Sequence, residues 1–267
     1  MAYENIVFEK EENIAIITFN RPEAMNALNN QTRAEFGQAI QDVASDDEVK
    51  VLILTGSGKA FVAGSDIKEF NATTPFAAHN IRRLGEMVEQ LEKPVIAAVN
   101  GFCLGGGNEI AMGCDIIIAS EKAKFGQTEI NIGIIPGGGG TQRLPKLVGT
   151  GKAMQMILSG KLYSAEQALD QGLIHLCVPD VDLEKQCWKF MQPILKNPQY
   201  ALSQAKLSLK AAQNNDFAKG LQQETIAFQH CFEHDFFVDL MCRQLGEGVL
   251  ETTMELPDSL CVKKEAI

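Results

Sequence analysis

Three short apolar runs, residues 51–55 (VLILT), 94–99 (PVIAAV) and 115–119 (DIIIA), show no polar alternation, and stretches of helical period separate them. A strand without alternation is buried on both faces, which calls for a parallel sheet covered by helices. The first run closes on Gly56-Ser57-Gly58. Ahead of it Phe36, Ile40 and Val43 fall at i, i+4 and i+7, an apolar stripe that Asn29 or Asn30 can cap and that Asp46-Asp47 end. A second helix is expected around residues 81–91, and a short third one after the glycines that follow the second run. The N-terminal segment differs: Ile6, Phe8, Ile14, Ile16 and Thr18 recur at period two around the charged break 9–12, the pattern of a hairpin of half-buried strands. Strand and helix alternate, so an α/β core with crossover connections is expected.

Past about Gly160 the pattern turns helical. Ser164 with Gln167 makes a capping box, Asn197-Pro198 reads as an N-cap followed by Pro at the first helical position, and apolar periods run through 202–212 and 217–232. No Ser/Gly linker or repeat intervenes, so one unit is expected, an α/β core over residues 1–195 with a helical subdomain over 196–267. The 24 Lys and Arg against 34 Asp and Glu leave a formal net charge of -10. That charge repels polyphosphate backbones and anionic headgroups, so neither nucleic acid nor a membrane is expected as a partner. The seven cysteines are scattered without a C-x-x-C pair, and the first residues carry no basic segment ahead of an apolar one. Free thiols and a cytoplasmic location are expected.

Two glycine clusters, Gly105-Gly106-Gly107 and Gly137-Gly138-Gly139-Gly140, match neither a phosphate-binding loop nor a dinucleotide fingerprint. The first lies between a buried strand and a helix, where backbone can approach a ligand and the opening N–H groups lack intrahelical partners. It is either a site for a developing oxyanion or a tight strand-to-helix turn. Glu109 and Glu129 each stand in an apolar stretch, where an ionised group is costly to bury unless used or paired. They are either surface carboxylates or an acid and base pair. His230 and His234 have the spacing of metal ligands but no third partner, so no metal is expected.

Segments 21–28 (RPEAMNAL), 61–69 (FVAGSDIKE), 99–111 (VNGFCLGGGNEIA) and 125–129 (FGQTE) through to 141–144 (TQRL) closely resemble the enoyl-CoA hydratase (crotonase) family, and the likeness runs to about Gln229. The resemblance implies a crotonase-like spiral of repeated ββα units with a helical C-terminal subdomain, assembled as trimers that often pair into hexamers. It implies that the backbone N–H groups of Ser65 and Gly106 form an oxyanion hole. Glu109 would then be the base and Glu129 the acid in adding water across the double bond of a trans-2-enoyl-CoA thioester, giving 3-hydroxyacyl-CoA, a step of fatty acid metabolism. By the same likeness the adenine end of CoA lies near Ala24, Met25, Ala27 and Ala63. Ser65, Asp66, Ile67 and Lys68 line the substrate path, with Lys68 and Arg21 available to the phosphates. No cofactor is implied beyond the CoA of the substrate. Glu23 departs from the small or basic residue of many relatives, and of the family's usual ending only Glu247-Gly248 remains. The alternatives are a double-bond isomerase or another acyl-CoA lyase of the family and, in a different class, a non-catalytic assembly protein. An isomerase typically needs only the second carboxylate, so Glu109 favours hydration.

Overall fold

The computed structural model describes residues 3–69, 77–214 and 216–245. The chain opens on the hairpin β1 (Ile6–Glu11) and β2 (Ile14–Phe19), then α1 (Asn30–Ser45), which Asn29 caps by accepting the Thr32 N–H at 2.7 Å. Next come β3 (Val51–Gly56), β4 (Ala60–Val62) and α2 (Ala77–Gln90); then β5 (Val95–Val99), β6 (Phe102–Leu104) and α3 (Gly106–Gly113); then β7 (Ile116–Ser120), β8 (Lys124–Gly126) and α4 (Gly140–Val148). These are three ββα turns of one spiral. The first strand of each joins one sheet and the second joins another. The larger sheet has the order β1-β2-β3-β5-β7-β10, parallel except for β1, where β10 is Leu176–Val178; the smaller has the order β4-β6-β8-β9, where β9 is Tyr163–Ser164. The short strands of the second sheet go beyond the alternation read from the sequence, because three residues carry too little pattern to register as strands.

The runs without alternation have both faces covered, as their composition requires. Ala15, Ile17, Leu52, Leu54, Ala97, Val99, Ile117 and Ala119 face the main core, with Phe36, Ile40 and Val43 of α1. Ile14, Val51, Ile53, Ile96, Ala98 and Ile118 face Leu183, Cys187 and Met191 of a later helix, residues 183–195, against which Trp188 also packs. Between these parts run α5 (Thr150–Ser159) and α6 (Ala165–Gln171), the latter with the expected capping box at Ser164 and Gln167. The helix over 183–195 is α7, and α8 (Gln199–Asn214) follows. Pro198 is not the first residue of α8, which begins at Gln199, and the side-chain amide of Asn197 donates to the Pro193 carbonyl of α7 at 3.0 Å.

The chain falls into two compact units that divide between Lys206 and Leu207. In the second, α9 (Phe217–Glu233) and α10 (Asp235–Leu245) are joined by the rings of Phe232 and Phe237, whose centroids are 4.6 Å apart. The tail with Glu247-Gly248 lies outside the described residues. Among the described residues no helix is long and apolar enough to cross a membrane. Cys103, Cys114 and Cys187 are buried and Cys177 and Cys231 half-buried, all five outside any disulfide.

The close fit of α3 to β4 sets where everything else in this region can sit. A Cβ on Gly107 would overlap the backbone carbonyl of Val62, whereas one on Gly151 in α5 meets nothing within 4 Å. Gly107→Ala is therefore expected to cost about 3 kcal/mol by overpacking, a fall in melting temperature of roughly 10 °C, while Gly151→Ala holds or slightly raises it. Equal melting temperatures for the two variants in thermal circular dichroism would refute this tight contact.

Candidate active site

Glu109 stands in the first turn of α3 and is only 2% exposed. Its N–H donates to the Gly105 carbonyl at 3.0 Å, the first bond of the helix, so the N–H of Gly106 comes before the helical ladder begins. The Glu109 carboxylate accepts two backbone N–H bonds at Oε1, from Gly138 at 2.8 Å and from Gly140 at 2.7 Å. This gives the second glycine cluster its role: its backbone folds over a buried carboxylate. Arg143 holds that loop, donating from Nη1 to the Gly138 carbonyl at 2.9 Å and from Nη2 to Glu89 at 2.6 Å. Gly139 has φ 110, and a Cβ there would overlap the Arg143 guanidinium, so both the conformation and the space require glycine. Burial raises the Glu109 carboxyl above its ordinary value, while the bonds from Gly140 and Gly138 and the charge of Arg143 pull the other way.

Glu129 follows β8 in a single 3-10 turn and is half buried. Its carboxylate lies against Gly105, where a Cβ would be 2.9 Å from Oε1 and the backbone has φ 50. No donor pair comparable to Gly138 and Gly140 reaches it among the described residues. Burial pushes its carboxyl up to about 7; its own backbone N–H opposes the rise and the charge of Glu109 adds to it. The amide of wholly buried Gln127 lies between Glu129 and Asn108; oriented with its nitrogen toward the carboxylate, it sits 3.2 Å from each Glu129 oxygen and its oxygen accepts from Asn108 Nδ2 at 3.2 Å.

Ser65 reaches the same region from the loop after β4. Leu28 pairs with Ser65 as an isolated parallel bridge, with Leu28 N–H donating to the Gly64 carbonyl at 2.9 Å and Asp66 N–H donating to the Leu28 carbonyl at 3.0 Å. In such a bridge both bonds use the neighbours of Ser65, and the N–H of Ser65 itself points to the opposite edge. The place a Cβ would take on Gly106 lies 4.0 Å from that nitrogen. The loop bearing Ala24, Met25 and Ala27 is stitched alongside: Ala63 N–H donates to the Met25 carbonyl at 3.1 Å, and buried Asn26 donates to the carbonyls of Ser57 and Ala60. Ile67 and Lys68 are exposed beyond it. Arg21, read as available to the phosphates, donates from its guanidinium to the Ala27 carbonyl at 2.6 Å and pairs with Asp66 at 3.3 Å. It fastens the loop.

The histidine pair separates. His230 lies within α9, whereas His234 follows it in extended backbone and accepts the Phe236 N–H at Nδ1. Among the described residues no group of three or more His, Cys, Asp or Glu is placed to hold a metal. Gln127, Asn108, Glu89 and Arg143 are site residues that reading the sequence did not single out. The signal was there for Gln127, a polar residue two places before Glu129 in the FGQTE segment.

A model of the enoyl-CoA hydratase/isomerase family matches residues 9–243, and the chain belongs to that family. It is 45% identical over 237 residues to a crotonyl-CoA hydratase of Syntrophomonas wolfei, covering 87% of this chain and 91% of that one. It is 43% identical over 256 residues to a short-chain-enoyl-CoA hydratase of Clostridium acetobutylicum, covering 94% and 98%. The 1.8 Å crystal structure of an enoyl-CoA hydratase from Bacillus anthracis superposes with a TM-score of 0.86 at 36% identity, over 91% of this chain and 96% of that one. The spiral of ββα units is thus the fold of this family.

The environment of Glu129 has a consequence for stability. Its folded pKa of about 7 exceeds that of an unfolded carboxyl, so the stability its protonated form confers is present at low pH and lost as the pH rises through about 7. Glu129→Gln removes that loss and is expected to melt above the parent at pH ~8.5, by on the order of 1–3 kcal/mol, with the gap shrinking toward pH ~5. Calorimetry at the two pH values checks this; a gap that is constant or reversed would mean that Glu129 titrates as an ordinary carboxyl.

Proposed function

We propose that this chain is an enoyl-CoA hydratase acting on short trans-2-enoyl-CoA thioesters to give 3-hydroxyacyl-CoA. The observation that carries the reading is the convergence, at the first turn of α3, of two carboxylates in unlike environments with the N–H groups of Ser65 and Gly106. The names of the two relatives, a crotonyl and a short-chain enoyl hydratase, support the substrate class.

The N–H groups of Ser65 and Gly106 hold the thioester oxygen and lower the barrier as charge builds there, one such donor being worth ~3 kcal/mol in comparable sites. Glu109, whose ionised form two amide donors and Arg143 favour, is the base. It takes a proton from water as the water oxygen bonds to Cβ. The electron pair of the double bond moves toward the oxyanion. On its return Cα takes the proton of Glu129, whose raised pKa keeps it available as an acid. Both new bonds form on the face turned to the carboxylates, so addition is syn. One water is consumed, and the proton gained by Glu109 returns to Glu129 through solvent. Ala24, Met25, Ala27 and Ala63 receive the adenine end of CoA. Asp66 and Ile67 line the path, and Lys68, exposed at its edge, meets the phosphates.

Assembly as a homotrimer, or as paired trimers, belongs to the same reading. Exposed Ile135, Met154 and Leu158 are side chains that a subunit contact would cover.

Hydration of crotonyl-, hexenoyl- and decenoyl-CoA, followed by loss of the conjugated-enoyl absorbance, tests the activity. The crotonyl thioester is expected to react fastest, and inactivity on all three would overturn the assignment. Glu109→Gln and Glu129→Gln are each expected to lower turnover by about a hundredfold to ten-thousandfold with thioester binding retained. The Ser65→Ala enzyme should stay within about tenfold of the parent, since its backbone N–H is kept. For the parent, kcat/KM is expected to fall as the pH rises through about 7 and Glu129 loses its proton. It falls again at acid pH, where Glu109 gains one. A rate unchanged across the neutral range would remove Glu129 from the acid role.

A further inference from the structure

Asn108 and Gln127 are wholly buried beside the two glutamates, yet proton transfer in the hydration reading uses neither. A carboxylate at Glu129 is an acceptor only, so Gln127 must turn Nε2 toward it, 3.2 Å from each oxygen. The Oε1 of Gln127 then faces Asn108, where Nδ2 donates to it at 3.2 Å. The charge at one end therefore sets the polarity of all three groups. Asn108 makes no second bond at Oδ1 among the described residues. Leucine has a similar volume and would leave no buried oxygen unsatisfied, so packing alone does not account for an asparagine here.

Few charges compete for Glu129. Glu109 faces it from α3 and opposes its ionisation, and Arg143 of α4 is turned to Glu109 and Glu89. Packed against the Glu129 turn, α5 carries only Lys152, which is exposed.

We infer that Asn108 is a positioning residue that acts through Gln127, holding its amide so that the N–H receives the carboxylate left on Glu129 after proton transfer. In that step the O–H bond of Glu129 breaks, its electron pair stays on oxygen, and the proton forms the C–H bond at Cα. The catalytic part of this inference rests on the hydratase reading; the hydrogen-bond chain does not.

The test follows the Glu129 carboxyl directly, by carbon-13 NMR of the full chain labelled at the glutamate carboxyls, with Glu129→Gln giving the assignment. Asn108→Leu and Gln127→Met are each expected to raise the Glu129 midpoint by roughly one pH unit, the scale of a lost hydrogen bond to a charged group. The double variant is expected to shift no further than Gln127→Met alone. Asn108→Ala, which leaves space instead of filling it, replaces Asn108→Leu if that variant fails to match the parent in circular dichroism and oligomer size. A midpoint within about 0.2 units of the parent in the Asn108 variant overturns the inference, as does an Asn108 shift that persists when Gln127 is already methionine. The readout needs no substrate, so the two readings fail separately. A chain inactive on crotonyl-CoA with both midpoints shifted loses the hydratase assignment and keeps the Asn108 relay. An active one whose midpoint ignores Asn108 loses only the relay.

Discussion

A carboxylate buried inside a protein must be met by donors, and in this chain much of the local architecture answers that demand at Glu109. The two N–H groups that meet it come from Gly138 and Gly140, in a loop that bends closely enough only because Gly139 adopts φ 110. The loop would be free to swing away if Arg143 did not hold its Gly138 carbonyl, and Arg143 is itself fixed by Glu89 from α2. One buried charge thus gives a role to a glycine run and an ion pair. Breaking a buried pair of this kind leaves an uncompensated charge, which is why its members act as a unit.

At the second carboxylate the same demand is met less fully. Glu129 has Gln127 and its own backbone, lies against the bare Cα of Gly105, and feels the charge of Glu109. Burial and the charge of Glu109 push its carboxyl up to about 7. In the proposed chemistry two residues of one type serve as base and acid through their surroundings, and because the charge of Glu109 acts on Glu129 their titrations belong partly to the pair. The division of labour lies in the donors.

How much of this the sequence discloses depends on the length over which a physical signal is written. The runs at 51–55, 94–99 and 115–119 announced strands buried on two faces, and Ser164 with Gln167 announced a helix start. The three-residue strands of the second sheet left no trace in periodicity; the repeated ββα unit came from the family resemblance. At the site, the apolar settings of Glu109 and Glu129 were legible, but the partners of Glu109 lie 29 and 31 residues away. Arg21 shows the same limit. A basic side chain next to a binding loop looks available until the Ala27 carbonyl and Asp66 are seen to hold it.

Fold and chemistry meet at the contact between α3 and β4. Because Gly107 presents no Cβ, the start of α3 can rest on the Val62 carbonyl, and this brings Gly106 beside the Ser65 nitrogen. The Leu28 bridge turns that nitrogen's N–H away from its own strand pairing. Both proposed donors are backbone groups, so no side chain has to be ordered to make them. Their spacing is set by the packing of a helix on a sheet, which changes little between bound and free states and supplies the preorganisation that electrostatic stabilisation requires. The fate of a polarised thioester in such a site is then decided by the carboxylates placed around it. In this chain two are present, both raised by burial and only Glu109 met by two backbone amide donors, and adding water requires a base and an acid.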